Sequence, residues 1–170
     1  MTKTEFLKCF LMRRLSKSPQ QHILLAQPKN LTQSAVLIAL FEKDGQLQIL
    51  LTKRAEHLKH HAGQVCFPGG KVEERDKNHT DTALREANEE IGLNPEVCQV
   101  VGQLHPYQTI SGYSITPVIG LLNEEPNLLI DENEVAEIFH IPLQHIFNTD
   151  KHYSVQVQQK TGNQKVHFMP

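Results

Sequence analysis

The sequence predicts an α/β domain, on three observations. Apolar runs of strand length recur along the chain, apolar faces at helical spacing stand near residues 4–15 and 84–91, and turn-forming residues separate them. The 170 residues suffice for one sizeable core, and there is no low complexity or internal repeat. Residues 1–170 are therefore expected to form a single domain.

The elements are expected in this order. Residues 4–15, TEFLKCFLMRRL, carry Phe6, Leu7, Phe10, Leu11 and Leu15 on one face and Lys8, Arg13 and Arg14 elsewhere. Such a basic amphipathic helix either docks on the domain or meets a membrane as an anchor or transit peptide. Residues 16–29 read as a polar connector with Pro19 and Pro28. Residues 34–41, SAVLIALF, form a central strand, and Asp44-Gly45 turns the chain into a hairpin partner at 46–52, QLQILLT. Residues 96–104 and 114–122 are further strands. Pro117 suggests a bulge or an edge position in the second. An acidic loop spans 123–133, a strand 135–141 and a short helix 142–147. A last hairpin turns around Thr161-Gly162-Asn163.

Several function classes fall away on composition. A formal net charge of −2 gives no electrostatic case for nucleic acid as the main partner. No apolar run reaches membrane-spanning length, and charges interrupt the apolar N-terminal residues, so neither a membrane partner nor a signal peptide is expected. Cys9, Cys66 and Cys98 are odd in number, widely spaced and without a CxxC pair. They read as reduced thiols of a cytoplasmic protein.

The chemistry concentrates in residues 67–93, FPGGKVEERDKNHTDTALREANEEIGL. A Pro-Gly-Gly turn opens the stretch, and a helix ending at Gly92 closes it. On that helix Glu86 and Glu90 lie one turn apart with Glu89 beside them, while Leu84, Ala87 and Ile91 face a core. Three like charges on one face destabilise a helix. Read alone they form a solvated surface. Read with the turn before them they suit a divalent cation with oxygen ligands.

This stretch resembles the Nudix box of the Nudix hydrolases, G-x5-E-x7-R-E-U-x-E-E-x-G-U with U a bulky apolar residue. Gly70, Arg85, Glu86, Glu89, Glu90, Gly92 and Leu93 carry the resemblance. Arg85 stands fifteen positions after Gly70 instead of fourteen, Asp76 replaces the first Glu, and Ala87 is small for its place. Residues 50–70, LLTKRAEHLKHHAGQVCFPGG, are similar to the motif LLT-x2-S-x3-R-x3-G-x3-FPGG of the coenzyme A pyrophosphatase branch. Ala55 replaces the Ser and Lys59 the Arg. The segment GYSITPVIG resembles the same branch.

The resemblance implies an α/β/α sandwich with a mixed, curved sheet, and a hydrolase of diphosphate bonds. The box is expected at 70–92, after an N-terminal helix and connector at 1–30. The family's C-terminal helix has no counterpart in this sequence, so truncation or a different cover for that face is expected. The implied cofactor is Mg2+ or Mn2+. Glu86 and Glu90 are the expected ligands, with the Gly70 carbonyl. Glu89 is a further ligand or the base. Arg85 orients the carboxylates. Glu134 is a second-site ligand, a base or a solvated loop acid. Arg54, Lys59, His61 and Gly69 are the expected substrate contacts. His57, His60 and His61 also allow a zinc reading, weakened by the lack of Cys or a patterned carboxylate. The expected substrate is coenzyme A or a derivative, cleaved to 3′,5′-ADP and 4′-phosphopantetheine. The alternatives are ADP-ribose, a dinucleotide or a nucleoside triphosphate, or a binding module without catalysis. The sequence leaves a homodimer open.

Overall fold

The computed structural model describes residues 1–15, 31–109, 111–159 and 162–168. Helix α1 (Lys3–Leu15) opens the chain. Thr2 and Glu5 cap it reciprocally: the Thr2 amide donates to Glu5 at 2.8 Å and the Glu5 amide to the Thr2 hydroxyl at 3.3 Å. Phe6 is buried, and Leu7 and Phe10 pack beside it on the sheet. The helix therefore docks on the domain. The connector expected at 16–29 lies outside the described residues.

Strand β1 (Thr32–Lys43) is the spine. Side chains alternate across a strand, so Ala35, Leu37, Ala39 and Phe41 enter one core while Leu40 enters the other. Asp44 (φ 51°) and Gly45 (φ 72°) turn the chain into β2 (Gln46–Arg54), as the Asp-Gly pair predicts. β7 (Tyr113–Leu122) runs parallel to β1 from Thr32↔Tyr113 to Leu40↔Leu121, and β5 (Cys98–Gln103) lies antiparallel beyond it. β8 (Val135–Pro142) covers the other edge of β2.

The mixed sheet splits in one place. β1 and β2 pair only from Leu40↔Ile49 to Lys43↔Gln46 and then separate. The chain at 65–71 fills the gap. Its first part, β3 (Val65–Cys66), pairs with Thr52 and Lys53 of β2. Its second, β4 (Gly69–Lys71), pairs with Ser34, Ala35 and Val36 of β1. The Leu37 amide donates to the Pro68 carbonyl at 2.8 Å between them. The Pro-Gly-Gly turn is thus held by both strands.

Helix α2 (His79–Ile91) lies on one face of the sheet. Asn78 caps it by accepting from the amides of Thr80 and Asp81, and Gly92 (φ 65°) ends it in the left-handed region that favours glycine. Ala83, Ala87 and Ile91 are fully buried, and Leu84 only partly so. The core stripe is therefore centred one position earlier than Leu84, and its two alanines let the helix sit close to β1. Ile91→Ala would cost about 2–5 kcal/mol by the usual penalty for an emptied core site. α1 and α3 (Leu143–Phe147) cover the opposite face around Leu40, Leu47, Ile49, Ile119 and Leu121. Three layers result, with α2 the one helix longer than a turn on the site's side among the described residues.

Pro117 departs from expectation, because β7 is central and not at an edge. The Pro117 carbonyl accepts from the Leu104 amide at 2.9 Å, so its ring nitrogen faces the same side. There β5 has ended, and the short β6 (Tyr107–Gln108) has not yet begun pairing at Ile115. The missing donor falls in a gap of the ladder. The final hairpin pairs β9 (Tyr153–Gln159) with β10 (Gly162–Phe168), and Thr161 of its expected turn lies outside the described residues. Among the described residues no helix is long and apolar enough to cross a membrane.

Candidate active site

The site is built where α2 faces the split. Arg85 organises it. Its Nε and Nη2 donate to the two oxygens of Asp76 at 3.0 Å each, its Nη1 to Glu86 at 2.8 Å and Glu89 at 2.9 Å, and its Nη2 also to the Lys71 carbonyl at 2.9 Å. The planar fork of arginine suits a paired carboxylate. The Asp76 side chain is 3% accessible, accepts further bonds from the Glu73 amide and the Thr82 hydroxyl at 2.9 Å each, and is held well below the usual carboxylate range chiefly by Arg85. Arg85 in turn is held protonated above its ordinary value, first by Asp76. Asp76, named in the sequence only as a departure from a motif, is thus the anchor of the arginine.

The three helix glutamates differ. Glu89 is 48% exposed and engaged by Arg75 at 2.8 Å as well as by Arg85. Arg75 was not anticipated, since nothing in a polar loop marks which charge turns inward. Glu86 is half-buried, and burial pushes its carboxyl up, opposed by Arg85 and reinforced by Glu89 and Glu134. Glu90 is not on an exposed face: its side chain is 3% accessible. It accepts from the Gly69 amide at 3.1 Å, and Arg54 lies 3.9 Å away. Burial raises it to about 7, with Glu134 and Glu86 adding to the rise and Gly69 and Arg54 opposing it. The repulsion read from the sequence is relieved in part by Arg85, Arg75 and Arg54, before any metal is invoked.

Glu134 lies within electrostatic reach of Glu86 and Glu90, its backbone bonded to Ala55 at 2.9 Å next to Arg54, although more than forty residues separate them in the chain. Its carboxylate makes no hydrogen bond or ion pair among the described residues. Gly69 and Gly70 provide two kinds of closeness. A Cβ on Gly70 would lie 2.3 Å from the Glu86 carboxyl carbon. A Cβ on Gly69 (φ 156°) would lie 2.3 Å from the Ala35 carbonyl oxygen.

The remaining expected residues are exposed. Lys59 is exposed on the 55–64 loop. His61 is exposed, has φ 58°, and bonds Gln64 at 2.8 Å within its own loop. His57 Nε2 meets the Asn133 carbonyl at 3.1 Å. Of the expected substrate contacts, Arg54 and Gly69 contact Glu90, while Lys59 and His61 are exposed on their loop and make no hydrogen bond or ion pair with the carboxylates among the described residues.

Glu86, Glu90 and Glu134 offer hard carboxylate oxygens, two of them with ionisation disfavoured by burial and mutual repulsion. That donor chemistry fits a divalent cation such as Mg2+ or Mn2+. Among the described residues, no three His, Cys, Asp or Glu side chains already converge closely enough to hold one.

Comparison with known proteins bears on the family and the fold. A NUDIX domain model matches residues 31–160. A relative from Enterobacter sp. (strain 638), named Uncharacterized Nudix hydrolase NudL, is 38% identical over 137 residues, covering 81% of this chain and 71% of the relative. The protein of the same name from Shigella flexneri serotype 5b is 34% identical over 166 residues, covering 98% and 82%. Among solved structures, the Nudix hydrolase RenU from M. smegmatis superposes with a TM-score of 0.58 at 21% identity, covering 71% of this chain and 75% of that one. The NUDIX domain of Shewanella oneidensis NrtR complexed with ADP ribose gives 0.53 at 21%, covering 86% and 87%. These two share the fold.

Proposed function

The chain belongs to the Nudix hydrolase family, and on that premise we propose that it cleaves the diphosphate bond of coenzyme A or its derivatives, giving 3′,5′-ADP and 4′-phosphopantetheine. The choice of coenzyme A rests on the resemblance of residues 50–70 to that branch, and one observation supports the diphosphate chemistry itself. The 50–70 segment, which resembles the coenzyme A branch, brings Arg54 to 3.9 Å from Glu90 and so sets a cation beside the carboxylates. A cation there favours an anionic diphosphate through charge-assisted hydrogen bonds.

The chain's own groups divide the work. Glu86, Glu90 and the Gly70 carbonyl would hold Mg2+ or Mn2+, which when bound neutralises phosphate charge and acidifies water. Arg54 binds and orients the diphosphate. Water attacks one phosphorus, the bond from that phosphorus to the bridging oxygen breaks, and the water's proton passes to a carboxylate. Glu134 is our choice for that acceptor, because Glu89 is occupied by Arg75 and Arg85 at 2.8 and 2.9 Å. Arg85, anchored by Asp76, is a positioning residue for Glu86.

A second reading keeps the reaction and changes the substrate to ADP-ribose or a dinucleotide. Ala55 and Lys59, where the coenzyme A motif has Ser and Arg, favour it, and the fold is shared with an NrtR domain complexed with ADP ribose. The test is kcat/KM for coenzyme A, 3′-dephospho-coenzyme A and ADP-ribose with Mg2+ or Mn2+ and products resolved. Preference for coenzyme A supports the first reading, and preference for ADP-ribose supports the second. Glu86→Gln and Glu90→Gln should each lower turnover about a hundredfold or more with the fold intact. Wild-type rates in both would remove the carboxylates from the mechanism.

A further inference from the structure

The stretch carrying Glu134 is fastened from two sides. Towards α2, the Leu129 amide donates to the Ile91 carbonyl and the Asp131 amide to the Glu90 carbonyl, each at 3.0 Å. Asp131 holds the turn itself: its side chain accepts from the Asn133 amide at 2.9 Å and its carbonyl from the Glu134 amide at 3.0 Å. The opposite side belongs to the histidine-rich loop. The Ala55 amide donates to the Glu134 carbonyl at 2.9 Å, and His57 Nε2 meets the Asn133 carbonyl at 3.1 Å. A carbonyl only accepts, so Nε2 carries the hydrogen. Ala55 is buried and follows directly on Arg54. Residues 54–57 therefore place one cation at Glu90 and two donors under Glu134.

We propose that His57 is a positioning residue: by donating to the Asn133 carbonyl it fixes the backbone that carries Glu134 on the side of Glu86 and Glu90, so that the 54–57 segment and the proton acceptor form one mechanical unit. The inference rests on the role assigned to Glu134. It gives one of three histidines a task the zinc reading did not supply.

The test compares His57→Ala, His57→Gln and Glu134→Gln, separately and combined. Displacing a reacting group slightly costs turnover and little affinity, so His57→Ala should lower kcat about tenfold with KM within about twofold. His57→Gln, which keeps a side-chain N–H donor, should recover most of the loss. In the Glu134→Gln background, His57→Ala should add nothing, as for two residues acting through one group. Amide hydrogen exchange at Asn133–Val135 should quicken in His57→Ala and not in His57→Gln. Unchanged kcat and exchange in His57→Ala, failure of Gln to rescue, or full additivity with Glu134→Gln would each overturn the proposal. Wild-type turnover in Glu134→Gln would overturn it too, by removing the role of Glu134 as proton acceptor, and the exchange data would separate that result from failure of the clamp. Melting curves for all variants identify a variant that has lost its fold, and exchange in His57→Gln then decides.

Discussion

Asp76 grips Arg85 by both guanidinium edges, 3.0 Å to Nε and 3.0 Å to Nη2, nine positions apart in the chain. Asp is one methylene shorter than Glu, and the loop between them is one residue longer than the family pattern, so the anchor is kept by a different route. Asp76→Asn should destabilise the protein by about 1.5–3 kcal/mol, the range for a hydrogen bond to a charged partner. It should also lower kcat, because Arg85 would no longer orient Glu86. The pH dependence follows from the depressed carboxyl. The Asp76 contribution is complete above about pH 4, its unfolded value, and is lost as pH falls towards the folded one. Thermal melts from pH 3 to 7 should show the wild type losing more stability in acid than Asp76→Asn.

The paired glycines should separate by phenotype. Gly70→Ala would push against the side-chain carboxyl of Glu86 and not against backbone, so activity should fall at least about tenfold with little change in Tm. Gly69→Ala would meet the Ala35 carbonyl oxygen and the Val36 Cα, at 2.3 and 2.6 Å, which are backbone. Its cost should appear in Tm, with about 1–3 kcal/mol lost to overpacking. Melting and initial rates measured together decide; equal loss of stability in both would make Gly70 structural as well.

Glu90 should weaken the metal-free fold at neutral pH. Its carboxyl is raised to about 7. Folding therefore takes up a proton between its unfolded value near 4.3 and about 7, and its stability contribution is full in acid and lost as pH rises through about 7. In EDTA at pH 8, Glu90→Gln should be more stable than wild type by on the order of 1–3 kcal/mol, with the difference gone near pH 4. A stability gain coupled to loss of turnover is the expected mark of a functional carboxylate. Differential scanning calorimetry across pH checks it.

Arg54 and Lys59 should act at different distances. Arg54→Ala should lower kcat/KM about tenfold for every diphosphate offered, the effect of one charge-assisted contact. Lys59→Ala should leave a small generic diphosphate untouched and erode only a preference for the 3′-phosphate. Steady-state kinetics on coenzyme A and its 3′-dephospho form separates the two.

Local signals made much of this legible. The Asp44-Gly45 turn, the alternation in β1 and the Asn78 and Gly92 ends of α2 each depend on a few neighbouring residues. The Glu86 and Glu90 spacing was readable for the same reason. Glu134 was a candidate in the sequence, but its placement beside Glu86 and Glu90 depends on β8 pairing with β2, a contact between distant segments. The burial of Glu90 was missed because helical periodicity put it among polar neighbours, whereas the Gly69 amide and the split sheet enclose it. Arg75, Asp76 and His57 could not be assigned, since loop side chains take direction from tertiary partners and not from a repeat.

The bridging of β1 and β2 by residues 65–71 makes that segment a splice, sealed to a strand on each side. The chain enters it from the exposed 55–64 loop and leaves it into the 72–78 loop, both outside the ladder. Length and composition can drift in either loop while the spliced glycines keep their distance from Glu86 and Glu90. The additional residue between Gly70 and Arg85 lies beyond Asp76, outside the splice, so the pairing of Gly69 and Gly70 with Val36 and Ala35 does not depend on it.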